Sequence, residues 1–175
     1  MVPTAIGSEQ HEGQMSEVTG YSRTQIAVHW GVVLLLGASY VSSDAMKSAW
    51  YAFHKGRDAF GTVAAAHVWV GVAILALAAV RIAVRLVRGA PPLPPDGHPV
   101  TDMIAKLTHL GLYAVLVLIP ALGLVAWFGA VDLAGEAHEV MFNLLVTLVA
   151  LHVVGAAYHQ FVLKDGLIGR MKRTG

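Results

Sequence analysis

Four apolar stretches, at roughly 24–43, 62–87, 104–129 and 139–163, constrain this chain more than any other feature. Each is close to the ~20 residues needed to cross a ~30 Å hydrocarbon core. Lipid offers no water to backbone N–H and C=O groups, so such segments must satisfy them internally, as helices. The rest of the 175-residue sequence agrees. Only 13% of residues are charged and 56% are apolar, with a mean hydropathy of +0.62. A soluble domain carries roughly 25% charged residues to cover its surface. The expected fold is an all-α membrane protein, an antiparallel four-transmembrane-helix bundle with the lipid bilayer as its first partner. A net charge of +1 excludes a nucleic-acid binder driven by bulk charge. The absence of cysteine excludes disulfides, thiolate metal sites, iron–sulfur clusters and covalent C-x-x-C-H haem.

Residues 1–20 carry Glu9, Glu12 and Glu17 and no Lys or Arg. A signal peptide needs a basic start and an apolar run. The stretch reads as a disordered polar tail, followed by one transmembrane domain over 21–172. Ser39, Ser42, Ser43 and Asp44 mark the far end of the first span. A charged connection over 44–61 follows. The 89–103 connection, G-A-P-P-L-P-P-D-G-H-P-V-T-D-M, is too proline-rich for helix and predicts an extended hairpin. The 129–138 connection has no Lys or Arg.

Basic residues near span ends set orientation. Arg23, Arg81, Arg85, Arg88, Lys106, Lys164, Arg170, Lys172 and Arg173 fall on one side, and Lys47, Lys55 and Arg57 on the other. Nine against three places both termini in the cytoplasm.

Nine histidines are many for so apolar a chain. His11, His54 and His98 lie outside the spans and carry little meaning there. The other six, His29, His67, His109, His138, His152 and His159, lie in or at the ends of spans, where polar side chains usually face the bundle interior. His138 and His152 are 14 residues apart, about 21 Å along a helix and within about 40° of one face. His29 matches His152 in depth, and His67 matches His138. Two such pairs suit two bis-histidine b-type haems near opposite membrane surfaces. A structural zinc site instead wants four clustered ligands. Gly71, one turn after His67, either admits a flat porphyrin or serves close helix packing. Arg81, 14 residues after His67, is placed to meet a haem propionate, the alternative being a positive-inside anchor; for Arg85 and Arg88 the anchor is at least as good a reading. Trp30, Trp69 and Trp127, near span ends, read as interfacial anchors.

Several stretches resemble the bacterial di-haem cytochrome b561 family. These are Y-S-R-T-Q-I-A-V-H-W at 21–30, H-V-W-V-G at 67–71 with Arg81 and Arg85, and T-H-L-G-L-Y at 108–113 with Pro120. H-E-V-M-F-N at 138–143 and L-H-V-V-G-A-A-Y-H-Q-F-V-L-K-D at 151–165 complete the set. Their order and spacing over 21–172 carry the resemblance. It implies a bacterial inner-membrane electron carrier with two haem b groups. His29 and His152 would hold the cytoplasmic-side haem, and His67 and His138 the periplasmic-side one. His109 and His159 would remain for ubiquinone, the electron acceptor. The short, stand-alone members include superoxide oxidases, which would make the chain a superoxide:ubiquinone oxidoreductase. Other members are electron-carrier subunits that dock a periplasmic redox partner. The 44–61 connection departs from a basic funnel for superoxide, because Asp44 and Asp58 offset Lys47, Lys55 and Arg57.

Overall fold

The computed structural model describes residues 20–57, 61–89, 91 and 99–171. Five α-helices account for most of them: α1 (Arg23–Val41), α2 (Ser43–His54), α3 (Thr62–Arg88), α4 (Pro99–Gly129) and α5 (Asp132–Tyr158). A π-helical turn (His159–Leu163) and a 3₁₀ turn (Leu167–Met171) follow. The four long apolar helices α1, α3, α4 and α5 are the membrane spans. Their outward faces are apolar, with Leu34 73% and Val87 84% exposed, surfaces that only lipid can cover.

The chain runs up and down. The end of α1 meets the start of α3, where Ser42 bonds His67. The start of α1 meets the end of α5, where His29 faces His152. The chain's first and last described segments share one end: Trp30 Nε1–H donates to the Met171 carbonyl at 3.3 Å, and the Gln25 amide to the Gly89 carbonyl at 3.0 Å. This end is called the terminal face below, and the opposite end the α2 face. In the bundle α1 packs on α3, α3 on α4, and α4 on α5. Between α1 and α5 side chains make the bridge, with Tyr40 stacked on Phe142 at 6.1 Å.

Helix starts follow local chemistry. Ser22 caps α1 in a reciprocal box with Gln25, satisfying two backbone donors. Pro99 opens α4, where its missing N–H costs nothing. The helix therefore begins inside the proline-rich 89–103 stretch, whose residues 90 and 92–98 lie outside those described. Residues 1–19, which hold the expected tail and His11, also lie outside them, as does His98.

Two expectations need correction. The 129–138 connection shrinks to Ala130–Val131, with Ala130 in the left-handed region at φ 52°. The helix α5 starts at Asp132 because acidic residues are favoured in a helix's first turn. The 44–61 connection is not merely a charged loop, since most of it forms α2. Met46, Trp50 and Phe53 recur at helical spacing along it.

The apolar core sits at mid-depth. Val32, Ile74, Ala78 and Leu116 form one buried cluster, and Val115, Ile119 and Leu145 another. Leu145 stands seven residues from both His138 and His152. The core is thus a plug between the two levels of histidine. Ala78 is fully buried within it. Ala78→Leu should overpack the plug and cost about 1–3 kcal/mol, read as a lower thermal unfolding temperature in detergent. Leu34→Ala on the lipid face should stay within about 0.5 kcal/mol.

Candidate functional site

On the α2 face the His67 and His138 ring centroids are 6.4 Å apart and inclined by 68°. Each ring is held by its Nδ1. The His67 Nδ1 lies 2.9 Å from the Ser42 hydroxyl oxygen. The His138 Nδ1–H donates to the Ile119 carbonyl at 2.7 Å. In both cases Nε2 is left to face another partner. Metal-bound histidines are oriented by such bonds from the far nitrogen. A cavity of about 580 Å³ adjoins the pair, within the ~300–1,000 Å³ of cofactor pockets. Two glycines shape it. At Gly123 a Cβ would stand 3.0 Å from the His138 ring, so glycine leaves the ring its place without a shift. At Gly71 a Cβ would meet only the Pro120 side chain, at 4.0 Å. Gly71 therefore opens on the cavity rather than serving tight helix packing.

On the terminal face the His29 and His152 rings are also 6.4 Å apart, inclined by 65°. The equal spacing has a simple chemical counterpart. Metal–imidazole bonds are ~2.0–2.1 Å long, and a five-membered ring with ~1.35 Å bonds has a radius of ~1.15 Å. An ion held between two opposed imidazoles then sets their centroids about 6.3 Å apart. His109 approaches His152 more closely, at 5.0 Å and 83°, an edge-to-face contact too short for an ion between the rings. Its Nδ1–H donates to the Ala105 carbonyl at 2.7 Å.

Arg81 rests over the Tyr113 ring at 5.7 Å and lies near enough to His29 and His152 to act on both through its charge. It lines a small recess with Tyr21, Gln25 and Met171. His159 begins the π-helical turn. Its ring lies 2.5 Å from the Asp165 carboxylate, both side chains being largely buried. Burial pushes the Asp165 carboxyl up, but hydrogen bonds from His159 and the Leu167 backbone N–H outweigh it. With the charges of His159 and Arg170, they hold the carboxyl below its ordinary range.

Residues 20–174 match the family described as prokaryotic cytochrome b561. The chain is 36% identical over 159 residues to cytochrome b562 of Cereibacter sphaeroides, covering 91% of this chain and 99% of that one. It is 27% identical to a probable superoxide oxidase CybB of Yersinia pestis, over 86% of this chain and 94% of the other. It is 24% identical to cytochrome b561 homolog 1 of Escherichia coli K12, over 86% and 96%. The chain belongs to the prokaryotic cytochrome b561 family. Membership makes it a membrane electron-transfer protein and implies haem b.

Haem b fits the residues present in this b561 chain. On the α2 face the ring spacing, the free Nε2 atoms and the glycine-shaped cavity all suit it. On the terminal face the fit rests on the same ring spacing and on the charge of Arg81.

The sequence reading passed over His54, which lines the α2-face cavity of this cytochrome. Both of its ring nitrogens meet acceptors: Nδ1 the Trp50 carbonyl at 3.0 Å, and Nε2 the Asp132 carboxylate at 2.5 Å. These bonds, the backbone one first, raise its pKa. Lys47 bridges to Glu139 at 2.9 Å, and Trp50 and Phe53 lie against Trp127. Trp127 is thus part of an aromatic cluster that seats α2, and Trp30 a tie to the last turn, rather than simple anchors. The fold favours the His54 imidazolium, so its contribution is complete below the unfolded value near 6.5. It is lost as pH rises through the folded value. Amide exchange in α2 of the b561 chain should therefore quicken between pH 6 and pH 8.5, after correction for intrinsic rates. Asp132→Asn should remove most of that difference. Equal protection of α2 at both pH values in the unaltered chain would contradict the clamp.

Proposed function

We propose that the chain is a di-haem b cytochrome that passes electrons across the bacterial inner membrane, from a donor on the α2 face to a quinone on the terminal face. The observation that carries this reading is two histidine pairs with the same 6.4 Å spacing at opposite ends of one apolar plug. His67 and His138 hold the α2-face haem, and His29 and His152 the terminal-face haem. Arg81 steadies a propionate of the latter. Bound haem supplies one-electron chemistry that no side chain here provides; the protein supplies ligands, spacing and charge. The excess of basic residues puts the terminal face, and so both termini, in the cytoplasm.

His109 and His159 serve the quinone, which we take to be ubiquinone. Reducing a quinone takes two electrons and two protons. With Nδ1 engaged by Asp165, His159 has Nε2 to hydrogen-bond a carbonyl oxygen and pass on a proton. His109 adds a second donor beside His152.

The donor is superoxide in the first reading, supported by the relative named a probable superoxide oxidase. A second reading, a non-catalytic carrier that docks a periplasmic redox protein, is favoured by the cavity rim. There Asp132, Glu136 and Glu139 outnumber Lys47 and His54, leaving no basic excess to steer a small anion inward.

The purified protein should contain two low-spin b haems per chain, counted by its visible spectrum and iron content. His67→Ala or His138→Ala should remove one haem and leave the other, and His29→Ala or His152→Ala should remove the opposite one. One haem in the well-folded unaltered chain would overturn the scheme. For the acceptor, the double change His109→Leu with His159→Leu should keep both haems yet slow ubiquinone reduction at least a hundredfold in stopped flow. An unchanged rate would place the quinone elsewhere.

A further inference from the structure

We propose that Ser42 is a positioning residue that accepts the Nδ1–H of His67 and ties the properties of the α2-face haem to the α1–α2 junction. The proposal rests on the reading of His67 as a haem ligand.

The Ser42 hydroxyl oxygen lies 3.0 Å from the Ala38 carbonyl, 3.1 Å from the Ser39 carbonyl and 2.9 Å from the His67 Nδ1. A hydroxyl has one proton to give, and a carbonyl can only accept. With Nε2 given to the haem, as the ligand reading requires, the ring's hydrogen sits on Nδ1, and the hydroxyl sends its own proton to the Ala38 or Ser39 carbonyl. The hydroxyl oxygen then faces His67 as an acceptor. In that arrangement Nδ1–H donates to the Ser42 oxygen at 2.9 Å, and the lone pair stays on Nε2. That is the tautomer an axial ligand needs.

The two ligands of this haem differ in how they are held. His138 donates to the Ile119 carbonyl, a backbone atom inside α4 that no side-chain change removes. His67 depends in part on a side chain, and on one at a junction. Ser42 is the C-cap of α1 and the residue on which α2 begins, at φ −87° and ψ −1°. Twelve residues of α2 hang from it, held at their far side by Lys47–Glu139 and His54–Asp132. Anything that shifts α2 acts on Ser42 directly.

Accepting the Nδ1–H bond makes the imidazole a more basic ligand and favours ferric over ferrous iron. Losing the Ser42 oxygen should weaken that preference about tenfold, the low end of what such partners contribute. For a one-electron couple, tenfold is ~59 mV.

The test is a spectroscopic redox titration of the full haem-loaded chain, with the two haems assigned from the single-histidine variants. In Ser42→Ala the α2-face haem should move ~59 mV upward, with two haems retained and the terminal-face potential unchanged. Ser42→Thr keeps the hydroxyl and should return the wild-type value. Unchanged potentials in Ser42→Ala would overturn the proposal, leaving Ser42 a helix cap. Equal shifts in the Ala and Thr variants would overturn it as well. If Ser42→Ala loses the α2-face haem, Ser42→Thr decides: the haem regained at wild-type potential supports the role, and its absence from both variants overturns it. His67→Ala separates the two levels, because retention of the α2-face haem there means that the ligand reading itself has failed.

Discussion

An imidazole at membrane depth must find partners for both of its nitrogens where no water can serve them, and the bundle is organised by that requirement. Leaving a buried polar group unpaired costs on the order of 1–3 kcal/mol. His138 meets it with the Ile119 carbonyl, and His67 with Ser42 at the end of α1. Each bond uses Nδ1 and leaves Nε2 for another partner. Those bonds also bring sequence-distant helices together. His67 ties α3 to the end of α1, and His138 ties α5 to the middle of α4. The site and the helix packing are therefore one structure, and a Cβ at Gly123 would crowd the His138 ring at 3.0 Å.

Between the two histidine levels the bundle is apolar. Leu116, Ile119 and Leu145 fill the depth where α3, α4 and α5 converge. Ala78, with no exposed surface, lets α3 come close to its neighbours. Such a plug keeps water and ions from joining the two faces. An apolar barrier blocks a proton far more effectively than an electron moving between fixed sites. A plug between two histidine levels therefore suits the proposed passage of electrons across the membrane without leakage of charge. On the α1–α5 side the Tyr40 and Phe142 rings stack at 6.1 Å.

The spans were legible because bilayer thickness imposes one period and one length on each. Expected bounds of 62–87 became Thr62–Arg88, and 24–43 became Arg23–Val41. The depth match of His29 with His152, and of His67 with His138, also followed from helical rise alone, and those rings do face each other. Two things escaped. The early start of α5 was hidden because Asp132 and Glu136 look like loop residues, although a helix N-terminus welcomes them. The α2 helix was hidden because it is too short and polar to register as a span. Its signal, Met46, Trp50 and Phe53 at helical spacing, was present but drowned by the charges around it. His54 was set aside for lying outside a span, which is a statement about depth and says nothing of neighbours. No property of the linear sequence announces that Ser42 and His67, 25 residues apart, meet at a helix junction.

The α2 face also gives a physical reason for a charge pattern that looks contrary to an anion-using cytochrome. Asp132 stands in the first turn of α5, where the helix dipole favours negative charge, and Glu136 and Glu139 follow at helical spacing. Two of them then hold α2, through His54 and Lys47. Two of the rim carboxylates thus serve the fold, Asp132 starting α5 and holding His54, and Glu139 holding Lys47. Because His54 and Lys47 are engaged in the clamp, they are not free to draw in an anion. Under the proposed function, a donor at this cavity would come without strong electrostatic steering or would bring its own positive charge to the rim. A chain that clamps α2 with carboxylates gives up a basic funnel, and the fold of this face bears directly on which electron donor it can serve.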